Sequence, residues 1–592
     1  MCGIFAILGD KNKKAAQTVL EGLKKLEYRG YDSWGIAAFL SSSSKKIEVE
    51  KHIGKIGEAN TILGAADIAI GHTRWATHGG VTDFNAHPHL DCSEKIAVIH
   101  NGIVENYQII KEKLLNKNHQ FSSQTDTEVI VHLIEEKLKN HSLTDAVFDA
   151  FNEIIGSNAI GVMDLETQSI IACRNGSPLV IGIDEKNNQF FLGSDVPAFL
   201  KYTNKVYFLN DDEGIVINKN GLKLYDLKSK KQKPIKYQII DWKLEDAEKA
   251  GYPHFLIKEI NEQKQTIPKT VLINKNEIDK IKKLHQKGYQ IEIIGCGSAY
   301  YCGLAGKYYF SLNNVLANVY GAYEYDPFKK FTNKKTLVLA ISQSGETADT
   351  LIAVKNAKKN GAKIAAIVNA RGSTLERLAD IVVPVGAGPE IAVVSTKAFT
   401  AQLATLYLIA NSLNNNYKLA VKKIESLGEI LKKFLSKQLF DKIISLSKKI
   451  IAEEHAYVIG KHLNYPASLE FALKMKETSY LHAEAFAAGE LKHGVITLIQ
   501  KNTPCFVLAS NDDVKDEVLS SAAQMKARGG KIIGIAPFES KEFDELIITP
   551  DTQELTIFAN IIVGQLLGYY LGIGRGADPD KPRNLAKSVT VK

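Results

Sequence analysis

The residues best suited to covalent chemistry lie at the start of the chain. Cys2 follows the initiator methionine and runs straight into a strand-like apolar segment, Gly3-Ile4-Phe5-Ala6-Ile7-Leu8. Aminopeptidase removal of Met1 would leave a residue carrying both a thiol and a free α-amine. Such an amine titrates near about 7.7–8.0, close to what a general base needs at neutral pH. One residue is then both nucleophile and base. The plain alternative is an accidental cysteine on a frayed terminus.

A thiol attacking an amide needs donors for the oxyanion that forms. His100-Asn101-Gly102, at the end of an expected strand, offers the Asn101 amide and the Gly102 N–H, unless it is an ordinary Asn-Gly turn. Gly71-His72-Thr73-Arg74-Trp75-Ala76-Thr77-His78-Gly79 ends another strand. Arg74 can clamp a carboxylate with its planar fork. Thr125-Asp126-Thr127-Glu128 reads either as a helix N-cap or as a carboxylate, Asp126, for a substrate ammonium. Together Arg74 and Asp126 suit the amino-acid end of a substrate such as glutamine, whose other end meets Cys2.

A second group lies far along the chain. Ser342-Gln343-Ser344-Gly345-Glu346-Thr347 joins an apolar strand to a helix. Its hydroxyls, amide and helix-start N–H groups make an anion cradle. It has neither a lysine nor a GxxxxGK[ST] pattern, so a sugar phosphate fits better than a nucleoside triphosphate. Ser468 to Gly494 is dense in polar residues, among them Lys474, Glu477 and His493. Lys474 and Glu477 share a helix face at i,i+3, although much of this stretch reads as solvated helix surface.

These groups need scaffolds of two kinds. Residues 1 to about 240 give strands at Ile4-Leu8, Ser33-Phe39, Ile68-Thr73, Ile96-His100, Ala159-Asp164 and Phe190-Ser194, with helices at Lys14-Lys25 and Glu128-Lys139, an α+β sandwich. Residues 241–275 read as a connector containing Trp242 and a Gly251-Tyr252-Pro253-His254 turn, followed by a helix from His254 to Gln265. From about 280 the rhythm is βαβ, with apolar strands buried on both faces. Leu337-Val338-Leu339-Ala340 is answered by Phe506-Val507-Leu508-Ala509, and Lys363-Ile364 by Lys531-Ile532. This is a duplicated α/β domain, its halves joined by a lysine-rich helical spacer near 420–450.

With 592 residues the chain holds several domains. A net charge of +8, from 74 basic and 66 acidic residues scattered along helix faces, reads as solvated surface and argues against nucleic-acid binding. The six cysteines, Cys2, Cys92, Cys173, Cys296, Cys302 and Cys505, show no CxxC pair and no Cys/His cluster at zinc spacing. Neither metal nor organic cofactor is expected. Sparse cysteines suit a reducing compartment, and the N-terminus does not read as a signal peptide. Leu555 to Ile573 carries no charge and is long enough to span a membrane. Its Asn560, Gln565 and glycines favour a buried core helix.

The motifs MCGI, YRGYDS (Tyr28 to Ser33), GHTRWATHG, HNGIVEN, TDTE, ISQSGETADT, STKAFT, KMKE through ELKHG and PRNLAKSVTV together resemble the glutamine–fructose-6-phosphate aminotransferase (isomerising) family over essentially the whole chain. The resemblance implies an αββα N-terminal-nucleophile glutaminase at 1–240, a linker at 241–279, SIS (sugar-isomerase) domains at 280–424 and 425–582, and a catalytic tail at 583–592. It implies Cys2 as nucleophile, Asn101 and Gly102 as oxyanion hole, and Arg74, Thr77, His78 and Asp126 as glutamine contacts. Trp75 would gate an ammonia channel. Ser298, Ser342, Gln343, Ser344, Thr347, Val393 and Lys474 would bind the sugar phosphate. Lys587 would form a Schiff base with the ketose, Glu477 would move the proton between C1 and C2, and His493 of a neighbouring subunit would assist ring opening. A cytoplasmic homodimer using L-glutamine and D-fructose 6-phosphate is expected. Two departures stand out: Ser298-Ala299 replaces the Thr-Ser usual in the family, and the long glutaminase insertion of eukaryotic relatives is missing. The second points to a bacterial-type enzyme without nucleotide-sugar feedback.

Overall fold

The computed structural model describes residues 2–10, 13–40, 46–240, 248–273 and 275–590. Trp242 of the expected connector lies outside them. The chain forms two compact units, Met1–Leu244 with Ala586–Lys592, and Glu245–Leu585.

The first unit is built on two antiparallel sheets. Among the described residues one has eight strands and the other seven. Gly3–Leu8 is interior to the eight-stranded sheet, paired on one side with Ala66–Arg74 and on the other with Gln189–Gly193. Its side chains alternate between two buried surroundings. Ile4, Ala6 and Leu8 enter the core between the sheets with Ile70, Ala97, Ile99 and Met163. Phe5 points the other way, toward the helix Ala15–Leu26, where a Cβ on Gly22 would sit 2.2 Å from the Phe5 ring. The strand is therefore apolar throughout, although the sheet is antiparallel. Helices Tyr107–Leu115, Glu128–Leu138 and Leu143–Glu153 bury their apolar faces against the outer side of the seven-stranded sheet. The layering is α-β-β-α, as the strand-rich N-terminal reading requires. The alternating strands Glu48–Ile53 and Gly221–Asp226 were not expected. They carry charged or exposed residues and lack an apolar run.

The second unit holds two parallel five-stranded sheets with matching strand order. Thr336–Ser342 takes the central position in one and Pro504–Leu508 in the other, each beside its duplicated neighbour, Lys363–Val368 or Lys531–Ala536. The spacer is the helix pair Tyr417–Phe434 and Lys437–Lys449. The helix expected over His254–Gln265 is Phe255–Ile273 and continues through Pro268, packed against Tyr417–Phe434 and Lys397–Leu413.

The membrane-length segment is a core helix, Thr556–Gly574, buried along nearly all of its length. Its polar residues have partners: Asn560 donates to Asn464 Oδ1 at 2.8 Å, and Gln565 accepts from Gln263 at 2.6 Å. Gly564, Gly568 and Gly572 form an i,i+4,i+8 stripe lying on the helix Asn464–Ser479. A Cβ on Gly568 would fall 2.5 Å from Thr478 Oγ1 and 2.8 Å from Lys474 O. Such crowding typically costs about 1–3 kcal/mol. Gly568→Ala is thus expected to lower the calorimetric unfolding temperature of this unit, and Gly568→Leu to lower it further.

Candidate functional sites

Strand register places Cys2. Gly3 lies opposite Thr73, so Cys2 meets the chain just after Arg74. The Trp75 N–H donates to Cys2 Sγ at 3.2 Å. Thr73 Oγ1 accepts from Gly3 N, and Ser194 Oγ accepts from Ile4 N, so the terminus is anchored and not frayed. Burial raises the Cys2 thiol pKa. The positive chain terminus, the Trp75 N–H and Arg74 oppose this, and Asp126 adds to it.

The Asn101 amide donates to Cys2 O at 3.0 Å. Its other end is fixed by His72, whose Nε2 lies 3.0 Å from Asn101 Oδ1 and 2.8 Å from His100 O. Burial holds His72 down to about 3, so it is a neutral ring donating from Nε2. That fixes which face of the amide presents N–H. Gly102 has φ +136°, and a Cβ there would stand 2.1 Å from Ser157 O, so no other residue fits at this strand end.

The Arg74 guanidinium is buried and donates to the carbonyls of His78, Gly79 and Gly80. It holds the 76–80 loop as well as placing positive charge beside Cys2. Thr77 is exposed and His78 half-buried at this loop. Trp75 is half-buried with its ring edge-on to Tyr31 at 5.4 Å. The YRGYDS segment braces the same loop: Asp32 accepts from Ala76 N at 2.9 Å, and Tyr28 and Arg29 both reach Asp195 at 2.6 Å.

The N-cap reading of Thr125–Glu128 holds for position but not for a side-chain cap. The cap residue of Glu128–Leu138 is Thr127, and its side chain makes no capping bond; its hydroxyl instead pairs with His100 Nδ1 at 2.9 Å. The Asp126 carboxylate accepts from Val104 N at 2.7 Å. The segment is tied to the neighbouring sheet, with Asp126 in the electrostatic surroundings of Cys2 and Arg74.

In the second unit, Ser342 to Thr347 turns from strand into the helix Ala348–Lys359. Ser342 Oγ accepts from Gly345 N at 3.0 Å, and Ser344 Oγ accepts from Glu346 N at 3.1 Å. Gly345 has φ +64°, and a Cβ would lie 2.1 Å from Ser373 Oγ. Gln343 completes the loop. Val393 is buried and its N–H donates to Asp580 O at 3.0 Å.

Lys474 is fully buried. Its ammonium donates to Ser298 Oγ at 3.1 Å and Glu477 Oε2 at 2.5 Å, and lies 3.3 Å from Glu470 Oε1. The solvated-surface reading therefore fails for this helix face. Glu470, absent from the sequence-level candidates, is the missing member. Three ionised groups would leave two carboxylates on one ammonium. Burial pushes Glu470 up to about 7, against a pull downward from Lys474, so the proton goes to the most buried carboxylate. The folded state then binds more protons than the unfolded chain between about 4.5 and 7. This group's contribution to stability is full below that window and is lost as pH rises through it. Glu470→Gln is expected to flatten that part of the stability–pH profile, measured by calorimetry between pH 5 and 7.5.

His493 is exposed at the end of the short helix Ala488–His493. Lys587 is half-buried in the C-terminal segment that groups with the first unit.

One cysteine lies in a cluster of potential ligands. Cys92, His119, His132 and Glu135 bring one ligand atom each to within 4.8 Å of one another. Their separations along the chain match no motif, so spacing did not reveal them.

The amide-fixing geometry at a cysteine terminus and the twin parallel sheets define a glutamine amidotransferase domain followed by paired sugar-isomerase domains. Family models agree: a glutamine amidotransferase domain matches residues 72–201, and a SIS domain matches 283–412 and 449–555. The chain is 42% identical to glutamine--fructose-6-phosphate aminotransferases [isomerizing] from Thermococcus kodakarensis and Caldanaerobacter subterraneus, over 100% of both chains in each case. It belongs to the glutamine–fructose-6-phosphate aminotransferase (isomerising) family. Among solved structures, the C-terminal domain of the Francisella tularensis glucosamine-fructose-6-phosphate aminotransferase matches with a TM-score of 0.52 and 33% identity, covering 57% of this chain and 100% of that one.

Proposed function

We propose that the enzyme takes ammonia from L-glutamine, aminates D-fructose 6-phosphate and isomerises the product to D-glucosamine 6-phosphate, releasing L-glutamate. The observation carrying this reading is full-length kinship to enzymes of that name, in a chain that has both a braced N-terminal thiol and a hydroxyl-lined loop.

In this reading the Cys2 thiolate attacks the glutamine carboxamide, and its α-amine takes the thiol proton and passes it to the leaving ammonia. Asn101 and Gly102 stabilise the oxyanion, while Arg74, Thr77, His78 and Asp126 hold the amino-acid end. Water then releases glutamate from the thioester, and Trp75 gates the passage of ammonia. Ser342, Gln343, Ser344 and Thr347 hold the phosphate, with Ser298 and Val393 beside the sugar. Lys587 forms a Schiff base at C2 of the open-chain ketose with loss of water. Ammonia adds to C2 and expels the Lys587 amine to leave the C2 imine, and Glu477 moves the acidified proton from C1 to C2, giving the 2-amino aldose. Lys474 fixes Glu477 in place, consistent with the 2.5 Å contact. His493 serves ring opening from a neighbouring subunit, making the working unit a homodimer. We assign the domains to 1–240, 280–424 and 425–582, with a linker at 241–279 and a tail from 583. Six free cysteines are in keeping with a cytoplasmic enzyme.

Incubating the purified chain with both substrates and identifying the products by mass and chromatography tests this. Glucosamine 6-phosphate and glutamate in equal amounts are expected. Ligand binding without turnover would point to a sugar-phosphate sensor, and a different amino sugar to a different acceptor.

A further inference from the structure

We propose that Cys92, His119, His132 and Glu135 form a closed structural site for a zinc-class divalent cation in the amidotransferase unit. The ligands come from three elements. Cys92 follows the strand His89–Leu90, His119 follows the helix Tyr107–Leu115, and His132 and Glu135 lie three apart on Glu128–Leu138. Cys92 Sγ is 3.6 Å from His132 Nδ1 and 3.9 Å from His119 Nδ1. Glu135 Oε2 is 3.1 Å from His132 Nδ1 and 3.0 Å from His119 Nδ1. A tetrahedral ion with bonds of about 2.0–2.3 Å sets ligand–ligand distances of roughly 3.3–3.6 Å. Four of the six ligand–ligand distances are therefore already near those of a coordination shell, and all six lie within 4.8 Å.

The outer atoms carry independent weight. A metal-bound imidazole usually turns its other ring nitrogen to a carboxylate. His119 Nε2 lies 3.1 Å from Glu136 Oε2. His132 Nε2 faces Glu128 Oε1 at 3.8 Å, and that oxygen is itself held by Ser122 N and Oγ at 2.7 Å. Both histidines are buried, and His132 Nε2 has no hydrogen-bond partner among the described residues. One thiolate, two imidazoles and a carboxylate suit zinc and exclude magnesium and calcium, which take oxygen ligands. Four protein ligands leave no open position, so the role is structural. The ion would clip the helix Glu128–Leu138 to the turn after His89–Leu90. Asp126 and Thr127 sit just before that helix, so the clip steadies the segment that carries the proposed ammonium contact.

The test uses the full chain, stripped with chelator and reloaded. Elemental analysis after gel filtration is expected to find one Zn²⁺ per chain, and Zn²⁺ to raise the unfolding temperature. Reloading with Co²⁺ is expected to give a thiolate-to-cobalt absorption band. Cys92→Ser is expected to abolish that band, and His132→Gln to weaken metal binding at least about 100-fold. Substoichiometric Zn²⁺, unchanged binding in the variants, or tight Co²⁺ without the thiolate band would overturn the proposal and leave a hydrogen-bonded network only. The wild-type cobalt spectrum decides even if a variant fails to fold. None of these readouts depends on glutamine or sugar turnover, so they stand or fall separately from the proposed reaction.

Discussion

Cys2→Ala is expected to abolish glutamine-dependent amino-sugar formation, a loss on the order of 10³-fold or more, as for other removed nucleophiles, while synthesis from free ammonium persists. The reason lies in where Cys2 sits. Its thiol is held by the Trp75 N–H, and its carbonyl is held by an Asn101 amide that neutral His72 orients. Alanine keeps the strand Gly3–Leu8 and its pairing, because Thr73 and Ser194 bond to the backbone of Gly3 and Ile4 and not to the thiol. The variant should therefore fold, bind glutamine and fail only at the covalent step. Parallel assays with glutamine and with ammonium salts check this. Loss of both activities would argue against separable chemistry.

Lys474→Met is expected to carry the largest stability penalty of any single change at the second group. Lys474 is the cation for both Glu470 and Glu477, and it is fully buried. Removing one partner of a buried ion pair costs about 3–5 kcal/mol, because the other charge is left uncompensated. The penalty should shrink at low pH, where Glu470 takes up a proton in any case, and should be partly relieved in a Lys474→Met, Glu470→Leu double variant. Calorimetry of the full chain, following the transition of the unit that contains these residues, reads both effects. Sugar turnover should fall as well, since Glu477 loses the contact that fixes it.

The sequence made the short-range chemistry legible. Cys2, Arg74, Asn101-Gly102 and the Ser342–Thr347 loop each sit at the end of an apolar strand, where local pattern is strong. The duplicated α/β plan was visible for the same reason, since buried parallel strands repeat as apolar runs. What stayed hidden depended on distant packing. Glu470 lies in a helix whose polar spacing looked solvated. That helix is enclosed by distant partners: the glycine stripe of Thr556–Gly574 meets its Phe471, Lys474 and Thr478, and Ser298, 176 residues from Lys474, accepts from the Lys474 ammonium. Thr125-Asp126-Thr127-Glu128 could be read as a helix N-cap or as a site for Asp126, and the helix does start there, but the Asp126 bond to Val104 N depends on a residue 22 positions away. The Cys92 cluster draws on three elements with no regular spacing and could not be read from the chain alone.

The nitrogen released at Cys2 is expected to be the nitrogen delivered to the sugar. The direct test supplies amide-¹⁵N glutamine and fructose 6-phosphate in the presence of excess unlabelled ammonium. The predicted result is glucosamine 6-phosphate carrying ¹⁵N, with labelling lost in Cys2→Ala. An unlabelled product from the wild-type chain, or labelled product from the variant, would contradict it.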